Sequence, residues 1–408
     1  MKIVYLHQYF NTPTMSGGTR SYEMARRLVA SGHEVHMVTS VKEQVPGDAA
    51  WRLTNESGIH VHWYPVPYSN NMSFYRRIKA FFIFAFVSAV KASSIEADVV
   101  FATSTPLTIA IPAVYVSRKN KIPMVFEVRD LWPELPIAVK ALTNPVAICG
   151  ARWLERFAYT NSKRIIALSP GMKDGIVNVG YPAHQVTVIP NGSDLELFNI
   201  KDDLISNFRS KYEWLGDRPL VVYCGTLGLI NGVHYLAELA EKVMRINPEV
   251  RFLIVGEGRE TEFVRKKAQE LGVFNKNFFM LPQMVKKDVP VVLRAANLST
   301  SVVIDVKEIW NNSANKFFDS LAAGTPIVIN HGGWQADILK KTGAGIIIDS
   351  KNVESAARTI ITALLDKEWL VQARSAALKL AREEFSRDLL ASRLEHVLCE
   401  AVEAHRRR

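Results

Sequence analysis

MKIVYLHQYFNTPTMSGGTRSYEMARRLVASGHEVHMVTS, residues 1–40, decides the fold. Ile3–Leu6 and Glu34–Val38 are short β-rich runs, and Thr19–Val29 between them repeats its apolar residues at helical spacing. Strand, glycine loop, helix and strand make a βαβ unit, which belongs to a parallel sheet covered on both faces. The rhythm continues through strands at His60–Trp63, Asp98–Phe101, Pro123–Val128, Arg164–Ala167 and Val186–Ile189, with a helix at Ala151–Tyr159. It restarts after residue 200 with strands at Leu220–Cys224, Arg251–Val255, Asn277–Leu281, Leu298–Ser301, Pro326–Ile329 and Gly345–Ile348. Helices at Val233–Ile246 and Asn315–Ala323 fill gaps between them. Two such sets predict an α/β chain of two doubly wound, Rossmann-like domains, residues 1–200 and 201–386. A final helix, 387–408, is expected to cross back to the first. The turn Pro190-Asn191-Gly192 and the charged stretch Lys201–Arg218 are the two places where the chain can change domain.

Composition narrows the class. With 48% apolar and 22% charged residues the 408-residue chain can bury real cores and is not a disordered protein. The +10 formal charge suits nucleic acid, an anionic membrane or a phosphorylated substrate. The cations are scattered and no nucleic-acid motif accompanies them, so nucleic acid is not expected as a partner. Cys149, Cys224 and Cys399 are far apart and outside any metal-ligand spacing, and no apolar run near Lys2 is long enough for a secretory signal. A reduced, cytoplasmic setting and no metal site are expected. Ser73–Ser93, SFYRRIKAFFIFAFVSAVKAS, departs from the pattern. Ala80–Val90 is nearly apolar all round, follows Arg76, Arg77 and Lys79, and is too short to span a bilayer. It reads equally as a core helix and as a helix lying in a membrane interface.

In open α/β sheets ligands sit beyond the carboxyl ends of the strands. After the first strand come Gly17, Gly18 and Arg20, where exposed backbone N–H groups and a helix start favour a phosphate. The plainer reading is a turn capped by Ser16. No G-x-G-x-x-G follows that strand. The strand at Pro123–Val128 runs into Glu127, Arg129, Asp130 and Glu134, charged groups that are costly to bury unless paired. They make a candidate site or an internal ion pair. In the second domain, glycine turns follow the first two strands, around Thr226 and at Gly256 and Gly258. Ser313 is placed to cap a helix whose first turn holds Asn315 and Lys316, with Asp319 on the same face. Those N–H groups and the Lys316 ammonium suit a diphosphate, and Asp319 suits ribose hydroxyls.

SGGTRSYEMARRLVASGHEVHMVTS (16–40), IPNGSDLELF (189–198), FLIVGEGRE (252–260) and KFFDSLAAGTPIV (316–328) together resemble the family-4 retaining glycosyltransferases of the GT-B fold, across nearly the whole chain. DLWPE (130–134) and NSANKFFD (312–319) resemble the WbuB-like branch more closely. The resemblance implies two facing Rossmann-like domains, the first for the acceptor and the second for a UDP-sugar, with no required metal or further cofactor. The narrower match implies N-acetyl-L-fucosamine or a related amino sugar, passed to a lipid-linked saccharide in O-antigen or capsule synthesis. The expected partners are a polyprenyl-diphosphate-linked acceptor and the inner leaflet of the cytoplasmic membrane, where the enzyme would be peripheral.

Residue by residue, Gly17 and Gly18 match the loop beside the donor diphosphate, and Gly256 and Gly258 match a loop lining the nucleotide site. Pro282 matches a position whose backbone contacts the base. Asp319 matches the second, ribose-binding glutamate of the family's E-x7-E element. Asn311 stands where the first glutamate belongs, and Thr226 and Asn231 stand where the family has a phosphate-binding Arg and Lys. Lys316, helped by Arg20, is the expected substitute. Arg129 and Asp130 replace a sugar-contacting histidine, which leaves Asp130 or Glu127 as acceptor-side base or orienting group. A nucleotide-sugar epimerase, an NAD-dependent dehydrogenase and a non-catalytic nucleotide-sugar binder are the alternatives, since fold alone excludes none of them.

Overall fold

The computed structural model describes residues 1–15, 17–41, 50–68 and 72–407. The chain divides into two compact units, Met1–Pro190 with Asp388–Arg408, and Asn191–Arg387. Among the described residues the first unit holds β1 (Lys2–Leu6), β2 (Glu34–Val41), β3 (Arg52–Glu56), β4 (Ile59–Pro65), β5 (Val99–Thr103), β6 (Met124–Val128), β7 (Arg164–Ala167) and β8 (Val186–Val188). They form one sheet in the order β3-β4-β2-β1-β5-β6-β7-β8. All neighbours are parallel except β3 and β4, an antiparallel pair. β3 was not expected. Its sequence, Arg-Leu-Thr-Asn-Glu, has no apolar alternation because it is an edge strand with an exposed Leu53. Ser57 and Gly58, both at positive φ, turn the chain from β3 into its antiparallel partner β4.

Two apolar layers cover that sheet. On one face Ile3, Tyr5, Val35 and Ile59 meet Met24 and Leu28 of helix Arg20–Ala30, and Leu390, Leu394 and Leu398 of the C-terminal helix Arg387–Arg406. The last helix therefore belongs to the first unit through its own leucines. On the other face Val4, Leu6, Val100 and Phe126 meet helices Phe74–Ser93, Ala110–Asn120, Pro145–Thr160 and Pro170–Asn178. Ser73–Ser93 is neither all core nor all surface. Ala80, Phe84, Ala85 and Ala92 are buried, while Phe82, Ile83, Phe86 and Val90 are exposed.

The second unit holds β9 (Leu220–Cys224), β10 (Arg251–Val255), β11 (Phe278–Leu281), β12 (Leu298–Ser301), β13 (Ile327–Ile329) and β14 (Gly345–Ile347). Their order is β11-β10-β9-β12-β13-β14, all parallel. Strand order reverses between β9 and β12, as it does between β1 and β5 in the first unit, and such reversals open a crevice for ligands. The division falls at Pro190, in the turn that was one of the two expected places and ten residues before 200. Asn191 and Ser193 explain the shift, because both bond within the second unit: Asn191 N–H donates to Ser313 Oγ at 2.9 Å, and Ser193 Oγ donates to Asp319 Oδ1 at 2.5 Å.

Candidate functional site

In the second unit the crevice is built around Lys316. β9 is a buried run that ends at Tyr223-Cys224, and Gly225 follows it without a side chain. A Cβ there would lie 3.2 Å from Lys316 Cε, so the glycine leaves room for the lysine stem. Lys316 Nζ donates to the Tyr223 hydroxyl at 3.0 Å and to Asn231 Oδ1 at 2.9 Å, and lies 4.6 Å from the Tyr223 ring centroid. Both partners are neutral, and among the described residues Lys316 forms no ion pair. Burial pushes its pKa down to about 8, with a small opposing pull from Cys224. Lys316 also stands in the first turn of helix Asn315–Ala322, beside N–H groups that have no partner within the helix. Among the described residues the result is a desolvated cation without an ion-pair partner, at the positive end of a helix. It can accept an anion.

Around Lys316 are Asp319, Asn315 and His331. Burial raises the Asp319 pKa, partly offset by the Ser193 hydroxyl and the Arg387 charge. One of its oxygens is held by Ser193. Asn315 Oδ1 is buried without a hydrogen-bond partner among the described residues. Cys224, Thr300, Lys316 and Asp319 line a small recess. His331 was missed by the sequence reading. It follows β13, is buried, and shares its Nδ1 with the Gly332 carbonyl at 2.8 Å, while burial and then the Lys316 charge act to depress its pKa. The signal for it was Asn330-His331-Gly332-Gly333, a glycine pair between a strand and helix Trp334–Thr342.

Several expectations change on inspection. Ser313 does not cap the helix. Its hydroxyl accepts from Asn191, and Ala314 holds the cap position with no side-chain bond. Gly256 and Gly258 have a packing reason of their own: a Cβ on Gly256 would sit 2.0 Å from Gly225 O, and one on Gly258 2.4 Å from Leu227 O. Leu227 N–H donates to Glu257 O at 3.1 Å, so the two glycine turns are locked together. Thr226 contributes its carbonyl to Tyr223 and Asn231, and Pro282 is exposed just after β11.

In the first unit, Gly17 has φ +129, and a Cβ there would meet Asn11 Nδ2 at 2.7 Å. Asn11 in turn donates to the Gly18 carbonyl at 3.4 Å. Ser16 lies outside the described residues. Arg20 is not available to a phosphate. It is 3% exposed, and its guanidinium donates to Glu127 Oε1 at 2.8 and 3.0 Å and to the carbonyls of Ile189 and Pro190 at 2.9 and 2.6 Å. Glu127 is equally engaged, since its other oxygen accepts from Thr103 Oγ1 at 2.5 Å. Burial alone would raise the Glu127 pKa, but the Arg20 and Arg129 charges and the bonds from Arg20 and Thr103 outweigh it and the net shift is downward. Glu127 is thus a structural carboxylate and a poor base. Asp130 differs. Among the described residues it accepts only from Thr105 Oγ1, at 3.2 Å, and burial lifts its pKa against the pull of Arg129. Arg129 reaches His7 Nε2 at 3.5 Å. The hydroxyls of Thr103 and Thr105 at the β5 exit were also missed. Thr-Ser-Thr-Pro directly after a buried strand was their signal. Among the described residues no group of three or more His, Cys, Asp or Glu side chains is placed to hold a metal ion.

Residues 17–192 match the family described as glycosyl transferase 4-like domain, and residues 205–380 the family described as glycosyl transferases group 1. WcaI of Escherichia coli K12, assigned as a colanic acid biosynthesis glycosyl transferase, is 24% identical over 66% of this chain and 69% of its own length. A Mycobacterium tuberculosis protein named as a GDP-mannose-dependent phosphatidylinositol monomannoside mannosyltransferase is 23% identical over 73% of this chain and 74% of its own. Among solved structures, Anabaena HepE in complex with UDP superposes with a TM-score of 0.73, at 16% identity, over 98% of this chain and 100% of its own. These likenesses give the chain the fold of the GT-B glycosyltransferases. The chain therefore carries a glycosyl transferase 4-like domain followed by a glycosyl transferases group 1 domain.

Proposed function

We propose that the chain is a retaining, metal-independent glycosyltransferase that moves a sugar from a UDP-sugar to a lipid-linked saccharide at the inner face of the cytoplasmic membrane, in bacterial surface polysaccharide synthesis. N-acetyl-L-fucosamine or a related amino sugar is the proposed unit, in keeping with the WbuB-like motifs. The observation that carries the reading is Lys316: a desolvated ammonium, held by two neutral groups, at a helix start beside the strand-order reversal. A nucleoside diphosphate supplies the missing counter-charge. UDP is favoured over GDP by the UDP complex of HepE, although the mycobacterial relative's name specifies GDP-mannose.

In the proposed reaction the bond from the sugar C1 to the diphosphate oxygen breaks, and a bond from C1 to the acceptor oxygen forms on the same face. Negative charge collects on the departing phosphate, where Lys316 and the N–H groups of its helix start stabilise it. The departing phosphate takes the acceptor's proton. Asp130 orients the acceptor hydroxyl. Asp130→Asn is expected to lower transfer while donor binding is kept, and undiminished transfer would remove Asp130 from the mechanism.

A thermal shift series with UDP, dTDP, GDP, ADP and NAD in the presence of EDTA tests the donor. A ligand at about 100 times its Kd stabilises by about 2.7 kcal/mol. For a domain of this size each kcal/mol is roughly 2–4 °C. A shift with UDP that survives EDTA is the expected result. A flat response to every diphosphate, or a shift with NAD alone, would overturn the reading.

A further inference from the structure

Helices Phe74–Ser93, Ala110–Asn120 and Pro145–Thr160 lie side by side on one face of the first unit's sheet, with their inner residues in one core. Lys119 Nζ donates to Ser93 Oγ at 3.0 Å, and Arg118 Nη2 to Asn161 Oδ1 at 2.7 Å, which ties the second helix to the ends of its two neighbours. Their outer faces are unusual for a solvated surface. On the first helix Phe82, Phe86 and Val90 recur at four-residue spacing with 55%, 73% and 57% exposure. Tyr115 is exposed on the second, and Val146 and Trp153 on the third. Scattered single apolar residues are ordinary on a monomer, but adjoining ones mark an interaction surface.

The charge on these helices is of one sign. Every charged side chain they expose is a cation, including Arg76, Lys79, Arg118, Arg152 and Arg156. Their single carboxylate, Glu155, is 2% exposed, and burial and then the nearby Glu134 charge push its pKa up to about 8. The three helices therefore present aromatic and aliphatic side chains interleaved with positive charge, and their one carboxylate is buried. Among the described residues no helix is long and apolar enough to cross a membrane, and the inner sides of these three are committed to the core.

We infer that these three outer faces form one surface that docks flat on an anionic lipid bilayer, with Phe86, Val90, Val146 and Trp153 entering the headgroup boundary and the cations meeting lipid phosphates. A nucleic acid would satisfy the cations but not bury the apolar residues. The inference deepens the proposed function by naming the partner that presents a lipid-linked acceptor, yet it stands on surface chemistry alone.

The test is co-sedimentation of the full chain, without donor, with phosphatidylcholine vesicles and with vesicles that also contain phosphatidylglycerol. Binding is expected to the anionic vesicles and to fall as salt screens the charges. Phe86→Asp and Trp153→Asp are each expected to weaken it about ten-fold or more without lowering Tm. Arg76→Gln and Lys79→Gln each weaken it roughly five-fold. Phe84→Asp lowers Tm instead, because Phe84 is 1% exposed. A polarity-sensitive dye on Cys149, exposed one turn from Trp153, is expected to report an apolar setting on anionic vesicles. Equal binding to both vesicle types, unchanged binding by the Phe86 and Trp153 variants, or the same losses seen with an RNA fragment and no vesicle binding would overturn the inference. UDP stabilisation is read on the same samples. Its loss with vesicle binding intact counts against the donor reading alone, and loss of vesicle binding with UDP stabilisation intact counts against docking alone.

Discussion

Lys316 was legible in the sequence because it follows a strand and opens a helix, two features read from a single local window. Its depressed pKa makes a signed prediction. Between about pH 8 and its ordinary value near 10.5 the unfolded chain binds more protons than the folded one, so Lys316's destabilising effect on the ligand-free protein fades as pH rises through that window. Diphosphate binding moves the other way, since the ammonium is what it needs. The UDP-induced Tm shift is expected to shrink from pH 7 to pH 9, and Lys316→Met to abolish that dependence. The same variant is expected to lower turnover on the order of 100-fold or more. It should leave the ligand-free Tm unchanged or higher, because an apolar side chain replaces a buried charge. The pairing of Arg20 with Glu127 was not legible, for the opposite reason. Their ion pair joins residues 107 apart, and nothing local announces it. Breaking a buried pair leaves an unpaired charge and typically costs about 3–5 kcal/mol. Glu127→Gln is therefore expected to lower Tm measurably at pH 7. Its effect should shrink in acid, since the folded-state pKa of Glu127 is depressed and its contribution is lost as pH falls through that value.

Among the elements, the glycine turns of the second unit separate two uses of the same residue. Gly343 has φ +71 and open space around it, so Gly343→Ala meets only the backbone penalty, about 1 kcal/mol. Gly256 combines φ +144 with a carbonyl 2.0 Å from any Cβ, so Gly256→Ala is expected to cost several times as much, about 3 kcal/mol or more. A comparison of the two Tm values in the absence of nucleotide checks this. Equal losses would mean that the Gly225 loop gives way freely. Ser193, Asp319, Asp194 and Arg387 show what an element reading cannot reach. Ser193 and Asp194 stand just before the short helix Leu195–Phe198, where short polar residues commonly cap, but Ser193 bonds Asp319 and Asp194 pairs with Arg387. A short polar side chain beside a turn has several partners within reach, and only the folded chain selects one.

At the scale of the whole molecule, each unit has its own core, and a single unfolding free energy is not defined for such a chain. The C-terminal helix supplies Leu390, Leu394, Leu398 and Val402 to the first unit's core. Side chains of this kind contribute about 1.5–3 kcal/mol each when fully buried, so removal of residues 388–408 withdraws roughly as much as an entire domain's net stability. Calorimetry of a chain ending at Arg387 is expected to lose the first unit's transition. The second unit's transition should remain and still respond to UDP. A truncated chain with both transitions unchanged would show that this helix is dispensable.

What the sequence alone determined is the alternation of buried strands and helices, and with it the strand-exit loops where chemistry sits. Backbone periodicity is local, so Lys316, Asp319 and the glycine turns could be located from a few neighbours each. Motif content was equally legible, as the two family matches over residues 17–192 and 205–380 reflect. Only the tertiary structure decided which charges are spent and which remain available. Arg20 and Glu127 neutralise each other inside the first unit, while Lys316 is left with neutral partners in the second. It also divided the Phe74–Ser93 helix into a buried face with Phe84 and an exposed face with Phe86. Both outcomes depend on which groups meet across long stretches of chain. Desolvation and pairing act through space, so no reading along the sequence can assign them.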